Sequence, residues 1–328
     1  PRIKSERSLN TVWSKKIGDG VGEKALRIEP KIQGKRIISA SPDGKVKAHL
    51  IDSGKEIWAA DIKDFFEEQD FSKVLSGNAD ILTGGVEADS KFVFVCTASG
   101  HLFALNQIDG SFGWKASISS ESLAPPKVDN DLVVVQTIDG KVAGYGASDG
   151  SKRWEYAAKI PPLTLRGTST PMIYDDIVIA GFSNGRIAFI TRDDGLAAFE
   201  QIVGVPEGVS DLEKLVDLDG KMAIENNILY TAGYQGRLIA IDLRAGEILW
   251  EREASSLAGV SFGFGNVYLI SFDGKVIAYN GANGREVWRV EALLNRHLNA
   301  PLVIGSYLAF TDFEGYLHLL AQSDGRFV

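Results

Sequence analysis

Seven copies of one glycine and aromatic pattern run through this chain and constrain its fold more than any other feature. Each copy begins with a glycine that follows Asp, Asn, Ser, Gln or Glu, at positions 44, 100, 140, 185, 236, 274 and 315. A second glycine comes ten residues later, and six of the copies have a large aromatic residue four residues beyond it: Trp58, Trp114, Trp154, Phe199, Trp250 and Trp288. Such regularity predicts a repeat protein.

Each copy has the pattern of short strands joined by tight turns. An apolar, β-branched run precedes the first glycine, and Asp-Gly or Asn-Gly after such a run is typical of a hairpin turn. These runs are Arg36–Ser41, Phe92–Thr97, Leu132–Thr137, Ile177–Phe182, Ile228–Gly233, Val267–Phe272 and Tyr307–Asp312. Four antiparallel strands per repeat predict an all-β fold, a single β-propeller domain over residues 1–328. In this fold the repeated aromatic ring covers the seam between adjacent blades.

Trp13 matches the outer strand of a repeat, but the other strands of that repeat do not precede it. Propellers commonly close by pairing an N-terminal strand with C-terminal ones, which removes the free sheet edge. Two arrangements fit the sequence. Either Trp13 completes the seventh blade, or it belongs to an eighth blade whose other strands lie beyond Val328.

The composition excludes several classes of function. The net charge of −8 and the scattered Lys and Arg residues argue against nucleic-acid binding, which requires clustered positive charge. No apolar run reaches the roughly 18 residues that a membrane-spanning helix needs. Cys96 is the one cysteine, and the four histidines show no metal-binding spacing, so we expect neither a metal nor a cofactor. The string Gly259–Gly263 matches a nucleophile elbow, but it falls in a predicted strand, outside the strand-to-helix context that gives the motif its meaning.

Function on a repeat scaffold is expected where the repeats differ. The connections between successive blades all emerge on one face, and three of them are distinctive: Asp61–Ser76, Lys159–Gly167 and Val203–Gly220. The last two are consecutive, so Arg166 is expected to lie near Asp217 and Asp219, with Leu163 and Leu165 beside them. Apolar side chains rimmed by charge are typical of a protein-binding patch. The alternative is that both leucines face the blade core and the aspartates only end a loop.

Several segments outside the repeat resemble the BamB family, the propeller lipoproteins of the bacterial outer-membrane β-barrel assembly machinery. The resemblance extends from about Thr11 to Val328. The segments that carry it are Leu163–Gly167, Asn184–Arg186, Leu215–Asp219, Ala240–Trp250, Glu314–His318 and Asp324–Val328.

The resemblance implies an eight-bladed layout, of which this chain holds seven repeats and an N-terminal outer strand. It also implies location at the periplasmic face of the outer membrane, with a lipidated cysteine upstream of Pro1. Members bind the periplasmic POTRA domains of BamA and assist barrel insertion without catalysis. By the same resemblance Leu163, Leu165, Arg166, Asp217 and Asp219 form the contact: the leucines pack, and Arg166 fixes the register through charge-assisted hydrogen bonds. The aspartates then either orient Arg166 or pair with basic groups of the partner.

Three other hypotheses remain open at this point. Exposed strand edges, or the aromatic segment Phe65–Phe71, would hold unfolded outer-membrane precursors by β-augmentation. A quinone-dependent dehydrogenase has similar repeats, but such enzymes are much longer and many contain a vicinal cysteine pair. A generic peptide-binding propeller is the third.

Overall fold

The computed structural model describes residues 6, 8–20, 26, 28–66, 81–165, 167–205, 210 and 213–328. These residues form seven antiparallel sheets, here called blades 1 to 7. Blade 1 contains β1 (Lys31–Gln33), β2 (Arg36–Ala40), β3 (Lys45–Leu50) and β4 (Glu56–Asp61). Blade 2 contains β5 (Glu87–Ala88), β6 (Phe92–Cys96), β7 (His101–Asn106) and β8 (Phe112–Ser117). Blade 3 contains β9 (Lys127–Asp129), β10 (Leu132–Gln136), β11 (Lys141–Gly146) and β12 (Lys152–Ala157).

The remaining blades repeat this layout. Blade 4 contains β13 (Met172–Tyr174), β14 (Ile177–Gly181), β15 (Arg186–Thr191) and β16 (Ala197–Ile202). Blade 5 contains β17 (Ala223–Glu225), β18 (Ile228–Ala232), β19 (Arg237–Asp242) and β20 (Glu247–Glu253). Blade 6 contains β21 (Val260–Gly263), β22 (Asn266–Ile270), β23 (Val276–Asn280) and β24 (Glu286–Val290). Blade 7 contains β25 (Leu302–Ile304), β26 (Tyr307–Thr311) and β27 (Leu317–Ala321), and a short 3₁₀ helix, Ile62–Phe65, follows blade 1.

The predicted all-β propeller is confirmed, and the predicted strands before each first glycine match the second strand of each blade to within one or two residues. The strands of every blade pair in chain order. The apolar clusters join neighbouring blades: Phe94 and Trp114 of blade 2 pack with Val133 and Tyr145 of blade 3. Each blade therefore buries a face against the next, as a propeller requires.

The repeated aromatic ring docks on the second glycine of the following blade. Trp114 lies against Gly150, and its indole N–H donates a hydrogen bond to the carbonyl of Ala147 at 3.0 Å. Gly150 has φ +70° and a Cβ there would lie 2.5 Å from the ring, so any larger residue would both strain the turn and lift the ring. The same docking joins Trp58 to Gly110, Trp154 to Gly195, Phe199 to Gly246, Trp250 to Gly284 and Trp288 to Gly325.

Trp13 makes the same contact with blade 1. Its ring lies against Gly54, and its indole N–H donates to the carbonyl of Ile51 at 2.7 Å. Trp13 thus occupies the place of the outer ring of a blade before blade 1. Blade 7 begins an outer strand of its own, where the Val328 N–H donates to the Leu319 carbonyl at 2.8 Å. This geometry favours the eight-bladed layout over the arrangement in which Trp13 completes blade 7.

The predicted N-terminal outer strand is not formed, because residues 8–20 have no neighbouring strand to pair with in the described part of the chain. A groove of about 870 Å³ lies between blade 7 and this N-terminal region, lined by Leu302, Ile304 and Leu317 on one side and Leu9 and Ile28 on the other.

The blade-to-blade connections share one face with the turns that carry the first glycines. The Ala158 N–H donates to the carbonyl of Gly140, and the Val203 N–H donates to the carbonyl of Gly185, both at 2.9 Å. We call this surface the connection face, and it confirms the arrangement expected from the repeat. Among the described residues no helix is long and apolar enough to cross a membrane.

Candidate functional site

The two connections that were expected to be neighbours lie side by side on the connection face. Gly167, in the connection from blade 3 to blade 4, lies so close to Asp219 that a Cβ at residue 167 would overlap the Asp219 carboxylate. Gly181, at the end of β14, approaches the next connection equally closely: a Cβ there would lie 2.6 Å from the carbonyl oxygen of Leu218. Glycine at both positions lets the two segments meet.

The predicted apolar contacts differ in exposure. Leu163 is 44% exposed, and Leu165 is partly buried. Neither leucine belongs to the fully buried core, so the alternative in which both serve only the blade interior does not hold. Leu163 is therefore open to solvent, whereas Leu165 is half-buried.

Asp217 differs from the expectation, because its side chain is only 1% exposed. One carboxyl oxygen accepts a hydrogen bond from the Leu218 N–H at 2.9 Å, and the other has no donor in the described part of the chain. Burial, together with the charge and hydrogen bonding of Asp219, raises the pKa of Asp217 to about 9. Asp217 is therefore protonated at neutral pH and cannot offer a carboxylate to a partner in this conformation.

Asp219 is the partly exposed member of the pair. It lines a cavity of about 250 Å³ that also contains Lys127, Thr168 and Lys221. Asp219 is therefore the acidic group that faces solvent at this site, and Asp217 lies buried beside it.

A buried hydrogen-bond network at Ser169, two residues after the Leu163–Gly167 segment, was not predicted from the sequence. Ser169, fully buried, donates from Oγ to the Gln136 side-chain oxygen at 2.9 Å and accepts from the Gly181 N–H at 2.9 Å. The Gln136 amide nitrogen in turn donates to the Gly181 carbonyl at 2.6 Å. Gln136 on blade 3 and Gly181 on blade 4 thus clamp the connection between them. The sequence signal was weak: a polar Gln136 ends an otherwise apolar run.

The second segment is anchored on both of its sides. Asp217 pairs with Tyr234 of blade 5, since the Tyr234 N–H donates to the Asp217 carbonyl at 2.8 Å. Beyond Asp219, Gly220 and Gly259 approach closely, with 2.6 Å between a Cβ built at Gly220 and the Gly259 Cα. The segment is therefore fixed between blade 4 and the connection that leads into blade 6.

Two of the sequence predictions fall partly or wholly outside the described residues. Arg166 is one of them, although its neighbours Leu165 and Gly167 are described. The other is the aromatic segment Phe65–Phe71, of which only Phe65 and Phe66 are described. Phe66 packs on Phe103 with ring centroids 5.2 Å apart, and Phe65 packs on Phe112 at 5.6 Å. These two rings are therefore engaged with blade 2.

The titratable groups give no catalytic arrangement in the described part of the chain. No group of three or more His, Cys, Asp or Glu side chains is placed to hold a metal ion among those residues. Burial raises the pKa of the Cys96 thiol to about 12, so the thiol is not a nucleophile at neutral pH. What the Leu163–Asp219 site offers is an apolar and acidic surface on a rigid frame, which is suited to binding.

Comparison with known proteins gives one consistent family. A family model described as "Outer membrane protein assembly factor BamB" matches residues 42–290. The BamB of Yersinia pestis is 33% identical over 328 residues, covering 100% of this chain and 82% of that protein. The BamB of Pseudomonas aeruginosa is 38% identical over 326 residues, covering 99% and 82%.

Solved structures agree on the fold. The crystal structure of BamB from Moraxella catarrhalis superposes with a TM-score of 0.82 at 28% identity, covering 92% of this chain and 86% of that one. Quinohemoprotein alcohol dehydrogenase from Comamonas testosteroni gives a TM-score of 0.70 at 13% identity, covering 92% and 66%. At that identity the second match concerns the fold alone.

Proposed function

This chain belongs to the family of the outer membrane protein assembly factor BamB, and from that premise we propose that it binds the periplasmic POTRA domains of BamA. In this proposal it is a non-enzymatic scaffold subunit that assists the folding and insertion of β-barrel proteins. The observation that carries the proposal is the contact between Gly167 and Asp219, which puts the Leu163–Gly167 segment beside a partly exposed carboxylate on one face.

The contact residues have separate tasks in this proposal. Leu163 supplies exposed apolar area, and the half-buried Leu165 adds further apolar contact. Asp219 offers a carboxylate that either orients Arg166 or pairs with a basic group of the partner. Asp217 acts from inside the protein, because it is buried and protonated.

The rigidity of the site supports a binding role. The connection that carries Leu163 is bonded to blades 3 and 4 through Ser169, and the second segment is bonded to blade 5 through Asp217, before any partner arrives. A pre-organised surface loses little conformational entropy on association, so more of its contact energy appears as affinity.

The proposed location is the periplasmic face of the outer membrane. As the family resemblance implies, attachment would use a lipid on a cysteine upstream of Pro1. Detection of the full-length protein in outer-membrane fractions, and its release when that cysteine is replaced by serine, would test the location.

The deciding experiment measures binding of this protein to purified BamA POTRA domains. Leu163→Ala and Arg166→Ala are compared with Leu196→Ala, a control leucine that is 64% exposed on the turn between β15 and β16 at the opposite face. We expect each site variant to lose about 2 kcal/mol, which is roughly 30-fold in Kd, and the control to bind like the wild type. The wild type, both site variants and the control must have equal melting temperatures, so that a loss of binding does not reflect a loss of folded protein.

Two results would contradict the proposal in different ways. If the site variants bind like the control, the assigned surface is wrong. If the wild-type protein itself fails to bind, the POTRA assignment falls and a propeller with another peptide or protein partner is left.

A further inference from the structure

The residue two positions before the first glycine of each repeat divides the connection face into two halves. In blades 1 to 4 this residue is small or aliphatic: Pro42, Ala98, Ile138 and Ser183. In blades 5 to 7 it is aromatic: Tyr234, Phe272 and Phe313. We call these three residues the aromatic arc. Three consecutive aromatic residues at one repeat position place three rings on the same side of the propeller.

The three residues hold equivalent places in their blades. Each backbone N–H donates to a carbonyl of the preceding connection: Tyr234 to Asp217 at 2.8 Å, Phe272 to Ser255 at 2.8 Å and Phe313 to Arg296 at 3.1 Å. Because the backbone is held in the same way in each blade, the side chains leave the turns at corresponding points.

Much of the aromatic arc is open to solvent. Phe272 is 59% exposed and Phe313 is 79% exposed, while Tyr234 is partly buried. Tyr234 and Phe272 contact each other edge to face, with ring centroids 5.0 Å apart. Repeat packing does not require exposed rings here, since blades 1 to 4 do without them, and contiguous exposed apolar surface marks an interaction site.

The aromatic arc continues the candidate site directly. Tyr234 is paired with Asp217 through the backbone, and Asp217 precedes Asp219 by two residues. The first ring of the arc therefore lies next to the acidic pair, and the other two lead away from it across blades 6 and 7.

The size of a specific interface indicates what covers the arc. A stable protein–protein interface buries about 800 Å² on each partner and takes 20–30 residues a side, in round figures. Leu163, Leu165 and Asp219 alone fall well short of that area. Phe and Tyr side chains bury about 150–250 Å² each and are favoured at interface hot spots.

We propose that the periplasmic domain bound at the Leu163–Asp219 site also covers Tyr234, Phe272 and Phe313. This inference rests on the proposed function and extends its surface. It assigns binding to residues outside the Leu163–Gly167 and Leu215–Asp219 segments, on the side of Asp219 that is away from Leu163.

The charged residues beside the arc are already paired within the chain. Asp273 and Glu314 follow the two exposed rings and are 47% and 63% exposed, and they form ion pairs with Lys275 at 2.8 Å and with Arg296 at 2.7 Å. The rim of the arc therefore presents both signs of charge, and the matching partner surface is a folded domain that offers apolar side chains to the rings.

The test compares Phe272→Ala and Phe313→Ala with Phe264→Ala in binding to purified BamA POTRA domains. Phe264 is a matched control: it is 68% exposed and lies on the turn between β21 and β22 of blade 6, at the opposite face. We expect each arc variant to weaken binding by roughly 10-fold and the control to leave it unchanged. All three rings are largely exposed, so their removal should not alter the melting temperature.

The outcomes separate this inference from the proposed function. If Leu163→Ala weakens binding while both arc variants bind like the Phe264→Ala control, the aromatic arc lies outside the interface and the inference fails alone. If the wild-type protein does not bind, or Leu163→Ala has no effect, the proposed function fails as well. If Phe264→Ala weakens binding equally, the effect is not specific to the connection face and the inference is refuted.

Discussion

Replacing Asp217 with asparagine should raise the free energy of unfolding at neutral pH. In the folded protein burial and the neighbouring Asp219 raise the pKa of Asp217 to about 9, whereas an unfolded aspartate has a pKa of about 3.9. Between about pH 4 and pH 9, Asp217 therefore keeps its proton in the folded state and releases it in the unfolded state. Stability therefore falls as the pH rises from about 4 to about 9, and asparagine, which is never charged, removes this dependence.

The magnitude follows from the size of that pH window. Each pH unit contributes at most about 1.4 kcal/mol, so from pH 4 to pH 7 the cost reaches about 4 kcal/mol at the upper limit. The carboxyl is 1% exposed, but Asp219 beside it is partly exposed, and solvent at that side weakens the penalty. We expect Asp217→Asn to gain about 2 kcal/mol at pH 7, or roughly 4 °C in Tm, and close to nothing at pH 4. The asparagine oxygen still accepts from the Leu218 N–H, and its amide nitrogen takes the place of the protonated carboxyl oxygen beside Asp219.

The assay is thermal and urea denaturation of wild type, Asp217→Asn and Asp217→Ala between pH 4 and pH 9. The alanine variant removes the same charge but leaves the Leu218 N–H without its acceptor, so it should gain less than asparagine. The reasoning is refuted if Asp217→Asn is less stable than wild type at pH 7 by an amount that grows with pH. That result would mean that Asp217 is ionised and paired with a cation in the folded protein.

Three further predictions test other parts of the structure. Ser169→Ala breaks two buried hydrogen bonds and should cost about 1–3 kcal/mol of stability and weaken POTRA binding. Tyr230→Phe, which breaks a buried hydrogen bond to the Gly281 carbonyl at the opposite face, should leave binding intact, so equal binding loss in both variants would contradict a local role of Ser169. Burial lowers the pKa of His49, so the wild-type protein should become less stable as the pH drops below about 6.5. In His49→Leu, which places at this position the residue type that blade 2 has there (Leu105), the melting temperature should change less between pH 8 and pH 5. Gly195→Ala puts a Cβ 2.8 Å from Trp154 at φ +73° and should lower Tm by several degrees; an unchanged Tm would show that the ring docks loosely.

The acidic pair shows which features of the site could be predicted from the sequence and which could not. The resemblance identifies Asp217 and Asp219 together, and nothing in the sequence separates their roles. In the structure Asp217 is buried and protonated while Asp219 is partly exposed. Burial depends on which residues surround a segment, and here Gly181 of blade 4 packs on Leu218 while Tyr234 of blade 5 pairs with the Asp217 backbone. The residues next to Asp217 and Asp219 in the sequence do not reveal which of the two is buried, because the surrounding residues lie elsewhere in the chain.

Trp13 shows the same division in the fold. Its resemblance to the repeated Trp positions is visible in the sequence, but two closures of the ring fitted it equally well. The docking of its ring on Gly54 places Trp13 directly before blade 1, and the pairing of Val328 with Leu319, which begins the outer strand of blade 7, decides between the two closures. The absence of a strand over residues 8–20 is likewise a tertiary result, because a strand exists only where a neighbour supplies hydrogen bonds.

The sequence by itself determined the blades, because their signals are local. Turn glycines such as Gly150 need positive φ within a few residues, and the strands alternate or run apolar over short stretches, so both are readable from neighbours in the chain. Tertiary structure decided what the connection face presents. The Gln136–Ser169 network and the course of the aromatic arc join residues of different blades. Contacts between blades arise from the packing of each blade on the next, so they became visible only when the blades were assembled.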